Sequence, residues 1–313
     1  MTIDDARVKD RTPLVAVAAA MWGLDGLLRK PLATALDPAT VVLWEHLIVV
    51  VLMFPFVPGA LRAFRRCTWR ERTAIVVLGV GSSAVATALF TRAFQVAGET
   101  GDFVSPLVMQ KTQPLFAVCF AAVLLRERIR PGFLWYAGPA LVGAWLLAFP
   151  SPGHVQMAAL TVAALSLGAA ALWGMGTVLG RLVSSSVAPR DLTALRYVWG
   201  LCGAVAIVSI QHDAWAPGTS NLLGLVLLAL IPGLISLNLY YVGLRSTPAI
   251  RATFAELAFP ATAAIVGVAF LGSSMSSTQW LGLSVVLISI TALSLREHQR
   301  EPVVLASAVG AET

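Results

Sequence analysis

Charge is what this chain has least of. Of its 313 residues, 22 are Lys or Arg and 16 are Asp or Glu, 12% together. An ordinary soluble domain carries roughly 25%. So few charges cannot cover the surface of a water-soluble protein of this size, and the apolar share of 58% points the same way. Cysteine is also scarce. Three residues, Cys67, Cys119 and Cys202, exclude a disulfide scaffold and fit no zinc spacing. They read as free thiols, with Cys119 and Cys202 buried in apolar runs and Cys67 in a loop. HExxH, G-x-S-x-G and the P-loop GxxxxGK[ST] are all missing, so nothing indicates a metalloprotease, a serine hydrolase or an ATPase. What remains is a polytopic membrane protein.

What is present is a series of long apolar runs. A spanning helix needs about 20 mostly apolar residues. Ten such runs are readable: 13–28, 39–57, 73–97, 103–125, 133–150, 156–180, 191–210, 221–243, 252–271 and 279–295. They are continuous and rich in Ala, Leu and Val, which predicts helices rather than the alternating strands of a barrel. The first run is not expected to be cleaved, because Arg7, Lys9 and Arg11 before it are balanced by Asp4, Asp5 and Asp10.

The basic residues fix an expected orientation. With the N-terminus inside, the cytoplasmic segments hold Arg7, Lys9, Arg11, Arg62, Arg65, Arg66, Arg70, Arg72, Arg126, Arg128, Arg130, Arg181, Arg190, Arg245, Arg251, Arg296 and Arg300. The external loops hold only Arg29 and Lys30, beside Asp37, Glu99, Asp102 and Asp213. Both termini are therefore expected in the cytoplasm. The net charge of +6 is topological and no mark of nucleic-acid binding.

The chain also repeats itself. AAAMWG at 18–23 meets AAALWG at 169–174, an offset of 151, and Pro38 meets Pro189. Further on the offset is 146, where QPLFAV at 113–118 meets FPATAA at 259–264 and Pro114 falls on Pro260. Five runs per copy is an odd number, so the second copy must be inverted. The loops agree: RERIR at 126–130 is basic, while its counterpart SSMSST at 273–278 has no charge. Inverted repeats are a transporter design, with two halves rocking about a site near the bilayer midplane. The expected fold is thus all-α, ten transmembrane helices in two inverted five-helix repeats at 13–150 and 151–295. A cytoplasmic N-terminus at 1–12 and a tail at 296–313 flank them.

The paired WG segments, the Pro-initiated second and seventh runs, P-L-F-A…L-x-E-R from Pro114 to Arg128, and Pro260 followed by SSTQWLG at 276–282 resemble the drug/metabolite transporter superfamily, in particular its ten-span EamA-type carriers. The resemblance implies a facilitative or proton-coupled carrier of small metabolites (an amino acid, a drug or a similar solute), often an exporter, in the plasma membrane. It implies a central cavity, no cofactor, and a monomer or homodimer. Two departures stand out. Glu127 after the fourth run has Ser273 as its second-copy equivalent, and the arginine present as Arg196 is replaced in the first copy near Glu45-His46.

Charges inside the runs are costly, about 2.5–3.5 kcal/mol each at a helix centre, and are functional candidates by default. They are Arg92, Lys111, Arg196, Asp25, Glu45 and Glu256, with His46 also able to titrate. Three of each sign predicts pairing: Arg196 with Glu256, and Lys111 or Arg92 with Glu45 or Asp25. Asp25, Glu45, His46 and Glu256 are the candidates for proton coupling. Lys111, Gln110 and Glu256 lie beside prolines that can kink the fourth and ninth helices. Trp22 and Trp173, at matched repeat positions, either frame the cavity or pack as interface aromatics. Arg196, Tyr240 and, more weakly, Tyr241 and Asn238 complete the candidate substrate site. The alternative is an intramembrane enzyme acting on a lipid-linked substrate, which needs Glu45, His46 and Glu256 to converge. A sensor or scaffold would have a sealed centre.

Overall fold

The computed structural model describes residues 11–126, 132–149, 156–183, 186–244, 255 and 258–298. Among these the structure is helical and contains no strand. Helix α1 spans Thr12–Gly23 and α2 Asp25–Ala35, joined through Leu24. Helix α3 is Pro38–Leu52 and α4 is Val57–Arg66. Five helices are each long and apolar enough to cross a membrane: α5 (Trp69–Glu99), α6 (Val104–Leu124), α8 (Met157–Val183), α9 (Pro189–Gln211) and α10 (Thr219–Tyr240). The shorter apolar helices are α7 (Leu134–Ala148), α11 (Ala258–Ala269) and α12 (Ser277–His298), the last apolar as far as Leu293.

Among the described residues, length and composition alone mark five crossings, or six if the bent pair α3–α4 is counted as one, with α7, α11 and α12 as shorter apolar helices beside them. That pair bends by 65°. The bend falls on Phe54-Pro55-Phe56, where Pro55 has no N–H to continue the ladder. Beyond it α4 carries Arg62, Arg65 and Arg66 on one side and packs Phe64 on Trp199, 5.5 Å between ring centroids. Arg72 Nε donates to Phe64 O at 3.2 Å, satisfying a terminal carbonyl of α4. A capping box of Thr68 and Glu71 then starts α5.

Two long helices are interrupted at matching places. α5 widens into a π segment at Leu78–Val85 and α10 at Ala229–Ile235, the same repeat offset of 151 at their starts. Such insertions open the hydrogen-bond ladder and recur at functional sites. α6 tightens into a 3-10 turn at Gln110–Thr112, just before Pro114. The helix is thus irregular beside Pro114, where the sequence allowed a kink.

Packing repeats as well. α1 lies against α10 and α11, while α8 lies against α5 and α6. A Cβ on Gly23 would fall 2.8 Å from Phe259 O, and one on Gly174 would fall 2.8 Å from Gln113 O. Gly23 and Gly174 differ by 151, and Gln113 and Phe259 by 146. Both offsets read from the sequence reappear in one pair of helix crossings. Further seams are α9 on the π segment of α5, α3 on α9, and α7 on α12.

The thiols reverse their expected places. Cys67 is buried in the α4–α5 turn, whereas Cys119 and Cys202 are exposed. The turn folds onto a core with Leu179 and Val183, while the two helix cysteines sit on faces turned away from the bundle.

Candidate functional site

The main surprise is Arg29. It was expected in an external loop, but α2 continues through it and leaves it 3% exposed. One turn separates it from Asp25, so the two lie on one helix face. Arg29 Nε donates to Asp25 Oδ1 at 2.6 Å and Nη2 donates to Oδ2 at 2.8 Å, a two-pronged pair. Nη1 donates to Thr91 Oγ1 on α5 at 2.8 Å. The same guanidinium reaches Glu45 Oε2 on α3 at 3.4 and 3.5 Å. Asp25 and Glu45 are thus brought together, but by Arg29 and not by Lys111 or Arg92. Arg92 is exposed and bonds Gln95 on its own helix. Its face of α5 points away from the bundle, and among the described residues it forms no ion pair. Lys30 is also drawn in, donating from Nζ to Leu271 O at 2.9 Å.

A second cluster surrounds His46, one residue along α3. Its Nδ1 lies 2.8 Å from Val42 O and its Nε2 2.9 Å from Ser83 Oγ. A carbonyl only accepts, so Nδ1 carries a proton, while Nε2 shares a hydrogen bond with the Ser83 hydroxyl. Arg196 Nε donates to the same Oγ at 3.4 Å. Ser83 sits in the π segment, which turns it toward both partners. Neighbouring Ser82 is buried with its hydroxyl unpartnered. Gly200 admits the imidazole: a Cβ there would be 2.5 Å from His46 Cδ2. Glu45 and His46 therefore serve different partners and do not form one acid–base centre.

The third cluster is aromatic. Trp22 meets Tyr240 at 5.0 Å, and Trp173 meets Phe90 at 5.3 Å, edge to face. Both tryptophans are half-buried against one core that includes Phe90, Phe94 and Phe259. Lys111 Nζ lies 4.0 Å from the Phe259 ring centroid, and the Arg29 guanidinium 5.5 Å from Phe90. A cation over a ring face is attracted by its quadrupole. Gln113 donates to Thr177 Oγ1 at 3.0 Å beside this cluster, and Gln110 is half-buried on the 3-10 turn. Asn238 is exposed and donates to Leu234 O within α10. Glu256, and with it the pairing to Arg196, lies outside the described residues, as do Glu127 and the side chain of Tyr241.

Two concavities lie elsewhere. A wide, almost wholly apolar groove of about 900 Å³ runs between α11 and α12, along Pro260, Ile265, Trp280 and Leu287, with Thr291 on its wall. A smaller one of about 240 Å³ is lined by Asp102, Ser105, Gln156 and Gln279. Asp102 is its hub. It accepts from the Val104 and Ser105 N–H groups, from Ser105 Oγ at 2.6 Å, and from Gln279 Nε2 at 2.7 Å. Gln279 Nε2 also donates to Leu147 O, and Ser105 Oγ lies 3.1 Å from that carbonyl while its single proton serves Asp102, so α6, α7 and α12 are tied at one end. Burial is the dominant influence on Asp102 and pushes its carboxyl above the ordinary aspartate range, against the pull of these donors. A pKa higher in the folded state means that folding favours the protonated acid. That stabilisation is complete below about pH 4 and is lost as pH rises through the folded-state value. The thermal midpoint in detergent should fall over that rise, and Asp102→Asn should flatten part of the fall. Asp213, pushed the same way by burial and Asp37, should keep the remainder.

Comparison with known proteins decides the family. The EamA-like transporter family matches this chain twice, over residues 13–149 and 160–295. The chain belongs to the EamA-like transporter family. Among its relatives, the riboflavin transporter ImpX of Fusobacterium nucleatum is 30% identical over 293 residues, 90% of this chain and 96% of that protein. The uncharacterized transporter YwfM of Bacillus subtilis is 24% identical, covering 92% and 94% of the two chains. A riboflavin transporter of Rhizobium johnstonii is 24% identical, covering 85% and 84%. A solved crystal structure aligns with TM-score 0.59 at 17% identity, covering 93% of this chain and 99% of that one; this is a likeness of fold. In this EamA-like transporter the residues missed by sequence reading are Arg29, Thr91, Ser82, Ser83 and the pair Gln113–Thr177. For Arg29 a signal existed: Asp25 stands four residues before it on an extendable helix.

Proposed function

We propose that this EamA-like transporter is a secondary carrier in the plasma membrane, with both termini cytoplasmic, and that its substrate is a flat aromatic heterocycle of the flavin class. The observation that carries the reading is the aromatic arrangement. Trp22 and Trp173 occupy equivalent repeat positions, each meets an aromatic ring, Tyr240 and Phe90 respectively, and both tryptophans pack on the core that holds Phe259, over which Lys111 lies. Rings in such pairs favour offset or edge-on partners, and a flat heterocycle offers them a face. Lys111 and Gln113 stand beside it as donors for ring carbonyls. Two relatives named as riboflavin transporters support the same substrate class. Alternating access fits two repeats, taken as inverted, that rock about a site between them. A carrier without ATP runs in whichever direction its gradients dictate, so export, which the family resemblance implies, is one setting of a reversible device.

The test is exchange of labelled riboflavin by purified protein in liposomes, loaded inside or added outside. Saturable exchange that unlabelled riboflavin competes and an amino-acid mixture does not is the expected result. No exchange above empty liposomes overturns the substrate class. Trp173→Ala should weaken half-saturation by about two- to tenfold, the worth of one aromatic pair at roughly 0.5–1.5 kcal/mol. An unchanged value would assign Trp173 to packing alone.

A further inference from the structure

The Asp25–Arg29–Glu45 cluster holds two acids and one cation. The cation is not shared evenly. Asp25 takes both prongs of Arg29 at 2.6 and 2.8 Å, the lengths of charge-assisted bonds, about 2.7–2.9 Å. Glu45 receives only contacts of 3.4 and 3.5 Å, because Nη1 is already committed to Thr91 at 2.8 Å. An ionised carboxylate this deeply buried would draw its cation closer. A protonated carboxyl would not, and burying a charge without a close partner is expensive.

The repeat adds a second observation. At the offset of 151, Asp25 and Arg29 correspond to Gly176 and Gly180, and Glu45 corresponds to Arg196. The acidic cluster therefore belongs to the first half alone. Opposite charges occupy one repeat position on α3 and α9, two helices that pack together. Glu45 and Arg196 nevertheless form no ion pair; Arg196 is half-buried and donates to Ser83. The groups facing Glu45 are Asp25 and Arg29 from α2, Thr91 from α5 and Arg196 from α9, with His46 next to it on α3. His46 is held by Val42 and Ser83. The described part of α10 brings no acid or base to this place.

We infer that Glu45 is the proton-carrying group of the transporter, and that Arg29 and Arg196 are its two alternative neighbours. A proton from water on one side forms an O–H bond at Glu45 while Arg29 stays with Asp25. The cluster passes from one net negative charge to none. When the O–H bond breaks toward water on the other side, the carboxylate pairs with Arg196 across the α3–α9 seam, which biases the two halves toward their other arrangement. Nothing is oxidised or reduced. Glu45 taking up and releasing a single proton gives one proton per cycle. This rests on the carrier reading above.

The test uses the full chain in liposomes and two readouts. Labelled riboflavin exchange at equal pH reports on the carrier reading. Accumulation under an imposed pH gradient, divided by that without one, reports on coupling. Wild type should approach tenfold per pH unit for one proton, and the sign separates symport from antiport. Glu45→Gln should give a ratio of one, and Glu45→Asp should keep a ratio above one. A second readout needs no substrate: infrared difference spectra on a pH jump should show a protonated-carboxyl band in wild type that Glu45→Gln lacks. A wild-type ratio of one, a gradient-driven ratio retained in Glu45→Gln, or a carboxyl band unchanged in that variant, overturns the inference. Failed riboflavin exchange with the band still assigned to Glu45 removes the flavin reading and keeps the proton site.

Discussion

Replacing Arg29 by methionine should leave little folded transporter. Methionine matches the length of the side chain and tolerates apolar surroundings, so the loss measures charge rather than volume. Removing one partner of a buried ion pair strands the other and costs about 3–5 kcal/mol. Here the stranded group is Asp25, which has both its carboxylate oxygens on Arg29. Thr91 would also lose its donor at 2.8 Å. The measurement is the fraction of detergent-extracted protein that runs as a single species, with its thermal midpoint. Adding Asp25→Asn to Arg29→Met removes the stranded acid and should recover at least half of the loss. Adding Glu45→Gln instead should recover little, because Glu45 is already weakly held. If Arg29→Met folds like the wild type, the cluster is not load-sharing and the uneven distances mean nothing. If Glu45→Gln rescues better than Asp25→Asn, the roles of the two acids are exchanged.

Much of this architecture was legible before any coordinates. The repeat offsets of 151 and 146 describe how α1 meets α11 and how α8 meets α6, because glycine and proline positions mark where backbones approach or bend. Charge was legible only in part. Asp25, Glu45 and His46 stood out as ionisable groups in apolar runs. Their partners did not, because pairing across helices depends on which faces turn inward. Arg29 was assigned to a loop because the apolar run ends at about residue 28, whereas the helix runs on to Ala35. Hydropathy records what lipid would accept and does not register a polar turn shielded by neighbouring helices. Ser83 was hidden for a different reason. A serine in an Ala- and Gly-rich run carries no special signal, and only the π segment aims it at His46 and Arg196.

The seam between α7 and α12 should prove the least tolerant of added volume. A Cβ on Gly282 would sit 2.6 Å from both Gly143 O and Leu147 N, and one on Gly143 would sit 2.9 Å from Gly282 O. Those neighbours are backbone atoms of packed helices, so no side-chain rotation can relieve the clash. Gly282→Ala should therefore cost at least the upper part of the usual overpacking range, about 1–3 kcal/mol, although alanine is the better helix former. Gly138 supplies the contrast on the same helix α7, since a Cβ there meets nothing within 4 Å. Gly138→Ala should gain roughly 0.5–1 kcal/mol, the ordinary difference in helix propensity. Thermal midpoints of the two variants in one detergent read both signs together. The same reasoning extends to Gly23→Ala and Gly174→Ala, each with a carbonyl 2.8 Å from the new atom. Matching losses at these two sites are expected from a pseudo-symmetric pair of crossings. A large loss at one and none at the other would show that the two halves do not share their helix contacts in the membrane.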